Sequence, residues 1–196
     1  MLERLSQRFA DKLVDFGIIS ESDIEIYVFG FYQIVILLLN VVTTLILGVA
    51  FRLIVPCIIL NMAYIFIRIS AGGYHADTPV KCYIYSTLMV AVLLSVIKWI
   101  HIPNAVLASM LVISGIVIIV LAPVETENNP LDEIEKKVYR KRSLIVLSLE
   151  ILACIFLQII SKKRIVQIVV LGLFAECIML IAGAVKNHFH ISHNSD

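Results

Sequence analysis

The chain has 196 residues, of which 60% are hydrophobic and 16% are charged, and its mean hydropathy is +0.97. Globular proteins carry about a quarter of their residues as charged side chains, so this composition predicts an integral membrane protein. The formal net charge is +1, and the sequence has no basic stripe interleaved with aromatic residues. Nucleic-acid binding is therefore excluded as an expected function.

The first 17 residues predict an amphipathic helix that lies in the membrane interface. Over residues 1–16 the apolar side chains recur at helical spacing, and acidic and basic side chains cover the other side. Gly17 is expected to end this helix, and Ser22 with Glu25 predicts a capping box at the start of the next one. The mixed charges do not resemble a cleavable signal peptide, so we expect an uncleaved multi-span protein.

Six apolar windows follow, each close to the length of about 20 residues that a helix needs to cross the hydrocarbon core. They cover residues 28–50, 52–69, 83–100, 104–122, 143–161 and 165–185. The short turn near Ala50 to Arg52 predicts that the first two spans form an antiparallel hairpin, and Pro56 predicts a bend in the second. The expected fold is a single all-α membrane domain over residues 1–196, with an interfacial helix and six transmembrane helices.

The distribution of Lys and Arg predicts how these spans are oriented. With six spans, eleven of the 16 basic residues fall on the side of the N-terminus. This places both termini and the loop at 70–82 in the cytoplasm. The basic turn Lys162-Lys163-Arg164 falls on the opposite side and conflicts with the rule, so a four-span arrangement with 143–185 placed differently stays open.

The polar loop between the second and third spans carries the candidate chemistry. A cysteine attacks as its thiolate, which a nearby imidazole, a cation or a helix N-terminus stabilises. His75 lies seven residues before Cys82, and Pro79 is expected to start the third span so that Cys82 falls in its first turn. Gly72 and Gly73 allow positive φ angles and could direct N–H groups at a substrate carbonyl, as an oxyanion hole requires.

Neighbouring polar residues could support this site. Asp77 could orient His75, although an Asp-Thr-Pro string also forms turns. Ser86 lies one helical turn beyond Cys82, where it could hydrogen-bond near the thiol or make an interhelical contact. The remaining cysteines lie in apolar runs and form neither a disulfide framework nor a CxxC pair; they are Cys57, Cys154 and Cys177.

The string Arg68, Gly72, Gly73, His75 and Cys82 resembles the signature of the AgrB family, the accessory gene regulator peptidases of quorum sensing. The resemblance extends over the whole chain. It implies an intramembrane cysteine endopeptidase that removes the C-terminal tail of an AgrD-like propeptide and closes the remainder into a thiolactone or lactone. By the same resemblance Cys82 is the nucleophile and His75 the base, while Arg68 and Gly73 are positions that the family needs. No cofactor is implied.

Two carboxylates fall inside predicted spans, Glu150 and Glu176. An acid within a membrane is expensive and therefore suggests function. The pair could line a polar cavity that holds the propeptide. Alternatively, each is protonated, or paired with a buried polar side chain such as Gln158 or Asn61.

Three further features are open in function. The 125–142 loop has an acidic and a basic half, which is typical of a solvated helix but could also meet anionic lipid or an acidic propeptide tail. The tail with His188, His190 and His193 lacks the spacing of a metal site. Small residues on the fourth span allow packing into a homodimer; they are Ser109, Ser114 and Gly115.

A protein of another class stays possible on sequence alone. In a non-catalytic peptide exporter or signalling scaffold, the polar loop would only recognise a peptide. A zinc membrane protease is less consistent, because no HExxH motif occurs in any span.

Overall fold

A computed structural model of the chain describes residues 2–76, 78–125 and 131–193. These residues form seven α-helices and one 3₁₀ turn at Glu21–Asp23. The helices are α1 (Leu2–Asp15), α2 (Ile24–Ala50), α3 (Ile54–Ala71), α4 (Pro79–Trp99), α5 (Asn104–Leu121), α6 (Glu133–Ile159) and α7 (Lys163–His193). Within the described ranges, α2 to α7 are long and apolar enough to cross a membrane. The predicted all-α fold with six spans is confirmed, and the four-span alternative has no support.

Helix α1 packs along α2, as its amphipathic pattern predicts. The ring of Phe9 stacks on Phe31 of α2 with centroids 4.3 Å apart, and Ala10 is fully buried. Other apolar side chains of α1 and the following turn, such as Leu5 and Phe16, are exposed. These exposed side chains give α1 an apolar surface that suits the membrane interface.

The start of α2 differs from the prediction. Asp23 is the N-cap residue, and its side chain makes no capping hydrogen bond, so the predicted capping box of Ser22 and Glu25 is wrong. The Ser20 hydroxyl instead donates to Asp23 Oδ2 at 2.6 Å. This local bond forms the 3₁₀ turn that precedes α2.

A tight turn joins α2 to α3 as an antiparallel hairpin, which confirms the prediction. Arg52 adopts a positive φ of 59° in this turn, and Gly48 lets the helices approach, because a Cβ there would lie 3.2 Å from the Cβ of Cys57. The position of Pro56, however, removes the reason for the bend that we expected in α3. Pro56 is the third residue of α3, where a backbone N–H has no partner within the helix.

Helix α7 is the central helix of the bundle. Of the residues in its apolar 18-residue segment, 61% are buried inside the bundle, whereas in the other spans this share is 11% to 33%. Its main neighbours are α3 and α5. A Cβ at Gly172 would lie 3.1 Å from the Cβ of Ala63 and 3.2 Å from the carbonyl oxygen of Leu60. The absence of a side chain at Gly172 therefore lets α3 lie directly against α7.

Helices α6 and α7 extend furthest beyond their predicted ends. Helix α6 starts ten residues before the predicted 143, because Asp132 caps it: Asp132 Oδ1 accepts from the backbone N–H groups of Ile134 and Glu135, both at 2.7 Å. Glu135 Oε2 accepts in return from the N–H of Asp132 at 3.0 Å. Helix α7 continues to His193, so the segment with the three histidines has a helical backbone.

The small-residue face of α5 is used within the bundle. Ser114 and Gly115 are buried there, so they supply no surface for the homodimer that the sequence allowed. Ser109 is exposed, and its hydroxyl donates to the carbonyl of Ala105 in its own helix.

Candidate functional site

The polar loop after α3, residues 72–76, is called the glycine loop here. Gly72 has a φ of 73° and Gly73 a φ of 122°, both in the region that favours glycine. A Cβ at Gly72 would lie 2.1 Å from the carbonyl oxygen of Val124, and a Cβ at Gly73 would lie 2.1 Å from Nη1 of Arg68. Both positions therefore need glycine for conformation and for space.

The glycine loop is attached to two distant parts of the chain. Gly72 forms an isolated parallel bridge with Val124, just after α5, and the N–H of Val124 donates to the carbonyl of Ala71 at 2.8 Å. The N–H of Tyr74 donates to the carbonyl of Met179 on α7 at 2.8 Å. A Cβ at Gly183 would lie 2.7 Å from the backbone of the loop. The loop can therefore lie directly against α7 because Gly183 has no side chain.

The N–H groups expected to form an oxyanion hole are already occupied in this conformation. The N–H of Gly72 donates to the carbonyl of Arg68 at 3.1 Å, and the N–H of Gly73 to the carbonyl of Val124 at 3.4 Å. The two glycines thus shape the loop and attach it to the bundle.

Arg68 holds the glycine loop from the end of α3. Its Nη1 donates to the carbonyl of Gly72 at 2.7 Å, and its Nη2 donates to the carbonyl of Tyr74. Nη1 also lies 3.8 Å from Oε2 of Glu176 on α7. Arg68 therefore links the loop to a buried acid of the central helix.

The two intramembrane carboxylates have different surroundings. Both carboxylates are buried with no hydrogen-bond partner among the described residues. Glu176 is fully buried and has an opposite charge nearby, the Arg68 guanidinium at 3.8 Å, whereas no ion pair is found for Glu150 in that part of the chain. Asn61, an expected partner for an acid, instead donates to the carbonyl of Cys57 at 2.8 Å. Of the alternatives that the sequence left open, pairing with Asn61 or Gln158 is not seen, since neither makes a hydrogen bond to Glu150 or Glu176 among the described residues.

His75 is the exposed member of the glycine loop. Its carbonyl accepts from Lys186 Nζ at 3.1 Å. Partial burial lowers the pKa of its imidazole, and the positive charges of Arg68 and Lys186 lower it further. The imidazole is therefore neutral at pH 7 and can accept a proton.

A cavity of about 100 Å³ adjoins His75 and contains residues that sequence reasoning missed. Glu125 and Tyr139 line it together with His75, and Lys136 Nζ lies 3.4 Å from Oε1 of Glu125. The sequence placed Glu125 in a solvated loop, because about fifty residues separate it from His75 and no local pattern joins them.

Cys82 lies in the first turn of α4, as predicted. Pro79 is the first helical residue and Thr78 is the N-cap, whose side chain accepts from the N–H of Lys81 at 3.3 Å. The Cys82 side chain is half-buried. No hydrogen bond joins His75 to Cys82, both of which are described residues, while Asp77 between them lies outside the described residues.

Ser86 makes an interhelical contact, which was one of its two expected roles. Its hydroxyl donates to Asn40 Oδ1 on α2 at 2.6 Å. Nearby, the hydroxyls of Thr43 and Tyr83 are 2.7 Å apart. These bonds attach the first part of α4, including the turn that carries Cys82, to α2.

Two grooves lie near this end of the bundle. A groove of about 720 Å³ borders the start of α4 and is lined by Gln7, Glu25, Val28, Phe29, Tyr32, Thr78, Pro79 and Val80. A second groove on α6 is lined by basic side chains and then by mainly apolar ones. The basic side chains are Lys137, Arg140 and Lys141, and the others are Leu144, Ile145 and Ser148.

In the part of the chain that the structure describes, no group of three or more His, Cys, Asp or Glu residues could hold a metal ion.

The chain is similar to several known bacterial proteins. It is 32% identical over 126 residues to accessory gene regulator protein B of Staphylococcus aureus, covering 63% of this chain and 64% of that protein. It is 29% identical to protein FsrB of Enterococcus faecalis, covering 74% of this chain and 59% of FsrB. An AgrB-like protein of Clostridium perfringens is 26% identical, over 82% of this chain and 77% of that protein. No solved structure matches. The family described as Accessory gene regulator B matches residues 6–180, and the chain belongs to this family.

Proposed function

We propose that this protein is a cysteine endopeptidase that cleaves a small AgrD-like propeptide and promotes cyclisation of its product. Membership of the accessory gene regulator B family implies a part in that quorum-sensing system. The observation that carries the proposal is the placement of two groups at one end of the bundle. A neutral imidazole, His75, lies on a loop fixed by the bundle, and a half-buried thiol, Cys82, lies in the first turn of the next helix.

The chemistry assigns each group one task. His75 takes the proton of the Cys82 thiol, and the thiolate forms a bond to a carbonyl carbon of the propeptide. The amide C–N bond then breaks, and His75 returns the proton to the departing amine. The propeptide is left as a thioester on Cys82. The propeptide's own Cys or Ser then gives its proton to His75 and attacks the thioester carbonyl, which closes the ring. The bond to the Cys82 sulfur breaks, and the sulfur recovers the proton from His75.

The surroundings of Cys82 favour ring formation over hydrolysis. Cys82 lies in the first turn of α4, at the positive end of the helix dipole. The groove of about 720 Å³ beside Pro79 has the volume of a small-molecule or peptide site. The groove does not include Cys82 itself but reaches Pro79, three residues before it in α4. A peptide held there with its internal nucleophile near the thioester would displace water and favour ring closure. Because a thioester is higher in energy than an amide, release of the cleaved tail helps to drive the reaction, and adding the tail back should slow it.

The test is mass spectrometry of the purified protein in proteoliposomes with the small propeptide encoded beside it. We expect the wild-type protein to form an adduct on Cys82 and a product one water lighter than the linear cleaved peptide. Cys82→Ala and His75→Ala should insert normally and leave the propeptide intact. Cys154→Ala, which removes a buried thiol of α6, is the matched control and should process normally.

Continued processing by Cys82→Ala would disprove the proposed mechanism. An intact propeptide that binds the wild-type protein without forming an adduct would instead favour an exporter or a scaffold.

A further inference from the structure

We propose that Glu176 is a positioning residue for the proposed reaction: its carboxylate orients the Arg68 guanidinium, which fixes the glycine loop and through it His75. This inference rests on the proposed function for its kinetic part. Its structural part, the order of the glycine loop, can be measured without substrate.

The contacts of Arg68 explain why a guanidinium is needed. It donates to the carbonyls of Gly72 and Tyr74, which lie on either side of Gly73, and it faces Glu176 as well. A guanidinium has five N–H donors in a rigid planar fork, so it can donate to two carbonyls while its charge lies 3.8 Å from the carboxylate of Glu176. The single ammonium of a lysine is less suited to this arrangement.

The burial of the pair explains why a carboxylate is needed. The Arg68 side chain is 16% exposed and that of Glu176 is 0% exposed. A cation at this depth is costly unless an opposite charge compensates it. Without the carboxylate of Glu176, the guanidinium would gain by turning toward water, and its bonds to the loop carbonyls would be lost.

The position of the loop explains how the effect reaches the site. The absence of a side chain at Gly73 leaves room for the guanidinium, since a Cβ there would lie 2.1 Å from Nη1 of Arg68. The second carbonyl that Arg68 binds belongs to Tyr74, the residue directly before His75. Movement of this peptide unit changes the direction of the imidazole, and displacements of about 1 Å are costly in catalysis.

The experiment compares Glu176→Gln, Glu176→Asp and the matched control Glu150→Gln, which also neutralises a buried carboxylate in a span. Hydrogen–deuterium exchange is measured on the peptides that cover the glycine loop. We expect Glu176→Gln to speed exchange of the loop and lower the kcat of processing at least about fivefold, with KM little changed. Glu176→Asp should recover part of both, and Glu150→Gln should leave loop exchange at the wild-type rate.

A Glu176→Gln protein with wild-type loop exchange and wild-type kcat overturns the inference. If that variant fails to fold, the double variant Arg68→Gln/Glu176→Gln removes the unpaired cation. Processing by the double variant no slower than by Arg68→Gln alone supports the inference, and multiplied losses overturn it. If the wild-type protein processes nothing, the proposed function fails, while loop exchange still tests the positioning role.

Discussion

Partial burial, together with two nearby cations, lowers the pKa of the His75 imidazole and keeps it neutral. Burial, Arg68 and Lys186 all lower the pKa of this group from an ordinary value of about 6.5. A base with a lowered pKa keeps its proton-accepting form to lower pH. The processing rate should therefore hold below about pH 6.5 and fall only as the pH drops through the lowered pKa.

Removal of one of these charges should move the acid limb of the pH profile. Lys186→Gln removes a cation near His75, so the pKa of the imidazole should rise and the fall in kcat/KM should begin at a higher pH. Lys162→Gln, at the other end of the bundle, is the control and should leave the limb unchanged. The measurement is the pH dependence of kcat/KM, and a limb that does not move in Lys186→Gln contradicts this role.

The candidate site was predictable only where it is local in sequence. The string from Arg68 to Cys82 could be found because its residues are close together along the chain. Val124, Met179 and Gly183 hold the same loop, but no short-range pattern connects them to it. The N–H groups of Gly72 and Gly73 looked available for substrate for two different reasons. The acceptor of Gly73 is Val124, about fifty residues away, whereas Gly72 donates to Arg68 because α3 extends past the predicted end at residue 69.

At the scale of elements, the first turn of α4 is the segment that presents Cys82. The N-cap residue Thr78 accepts from the N–H of Lys81, and Pro79 is preorganised for the first helical position. Together they fix where α4 begins, and hence the position of Cys82 relative to the glycine loop.

Loss of this cap should loosen the turn. Thr78→Ala should cost about 1 kcal/mol of local stability, speed hydrogen exchange over residues 79–83 and lower the rate of processing. Thr78→Ser keeps a hydroxyl acceptor and should behave like the wild type. Equal exchange in Thr78→Ala and Thr78→Ser contradicts the capping role.

Apolar windows predicted the centres of the spans and missed their polar ends. Helix α6 begins at Glu133 because of the capping box of Asp132 and Glu135, a signal that was present in the sequence but lay outside the apolar window. Pro56 was misjudged for a related reason: its effect depends on where α3 begins, and composition does not determine that residue.

At the scale of the whole molecule, the candidate functional residues lie at one end of the bundle. Lys186 near the end of α7 contacts His75, and Asn187 Nδ2 donates to the carbonyl of Glu125 at 2.8 Å. The loop after α3, the segment after α5 and the last turns of α7 therefore lie on the same side of the membrane. The distribution of basic residues supports a cytoplasmic assignment for this side.

Cysteine labelling in intact bacterial cells tests that orientation. With Cys82 replaced by Ala, a cysteine at Ser161, in the turn between α6 and α7, should react with a membrane-impermeant maleimide. A cysteine at Ser20, before α2, should react only after the cells are permeabilised. Both positions are exposed in the structure, and the reverse labelling pattern would show that the bundle has the opposite orientation.

The contact between Tyr74 and the backbone of α7 has a consequence for biosynthesis. His75 and Cys82 leave the ribosome well before Met179 and Gly183, on which the glycine loop rests. A nascent chain therefore carries both reactive side chains without the surface that orders them. Activity should appear only once the last helix has been inserted, and chains that end before Gly183 should enter the membrane as inert proteins.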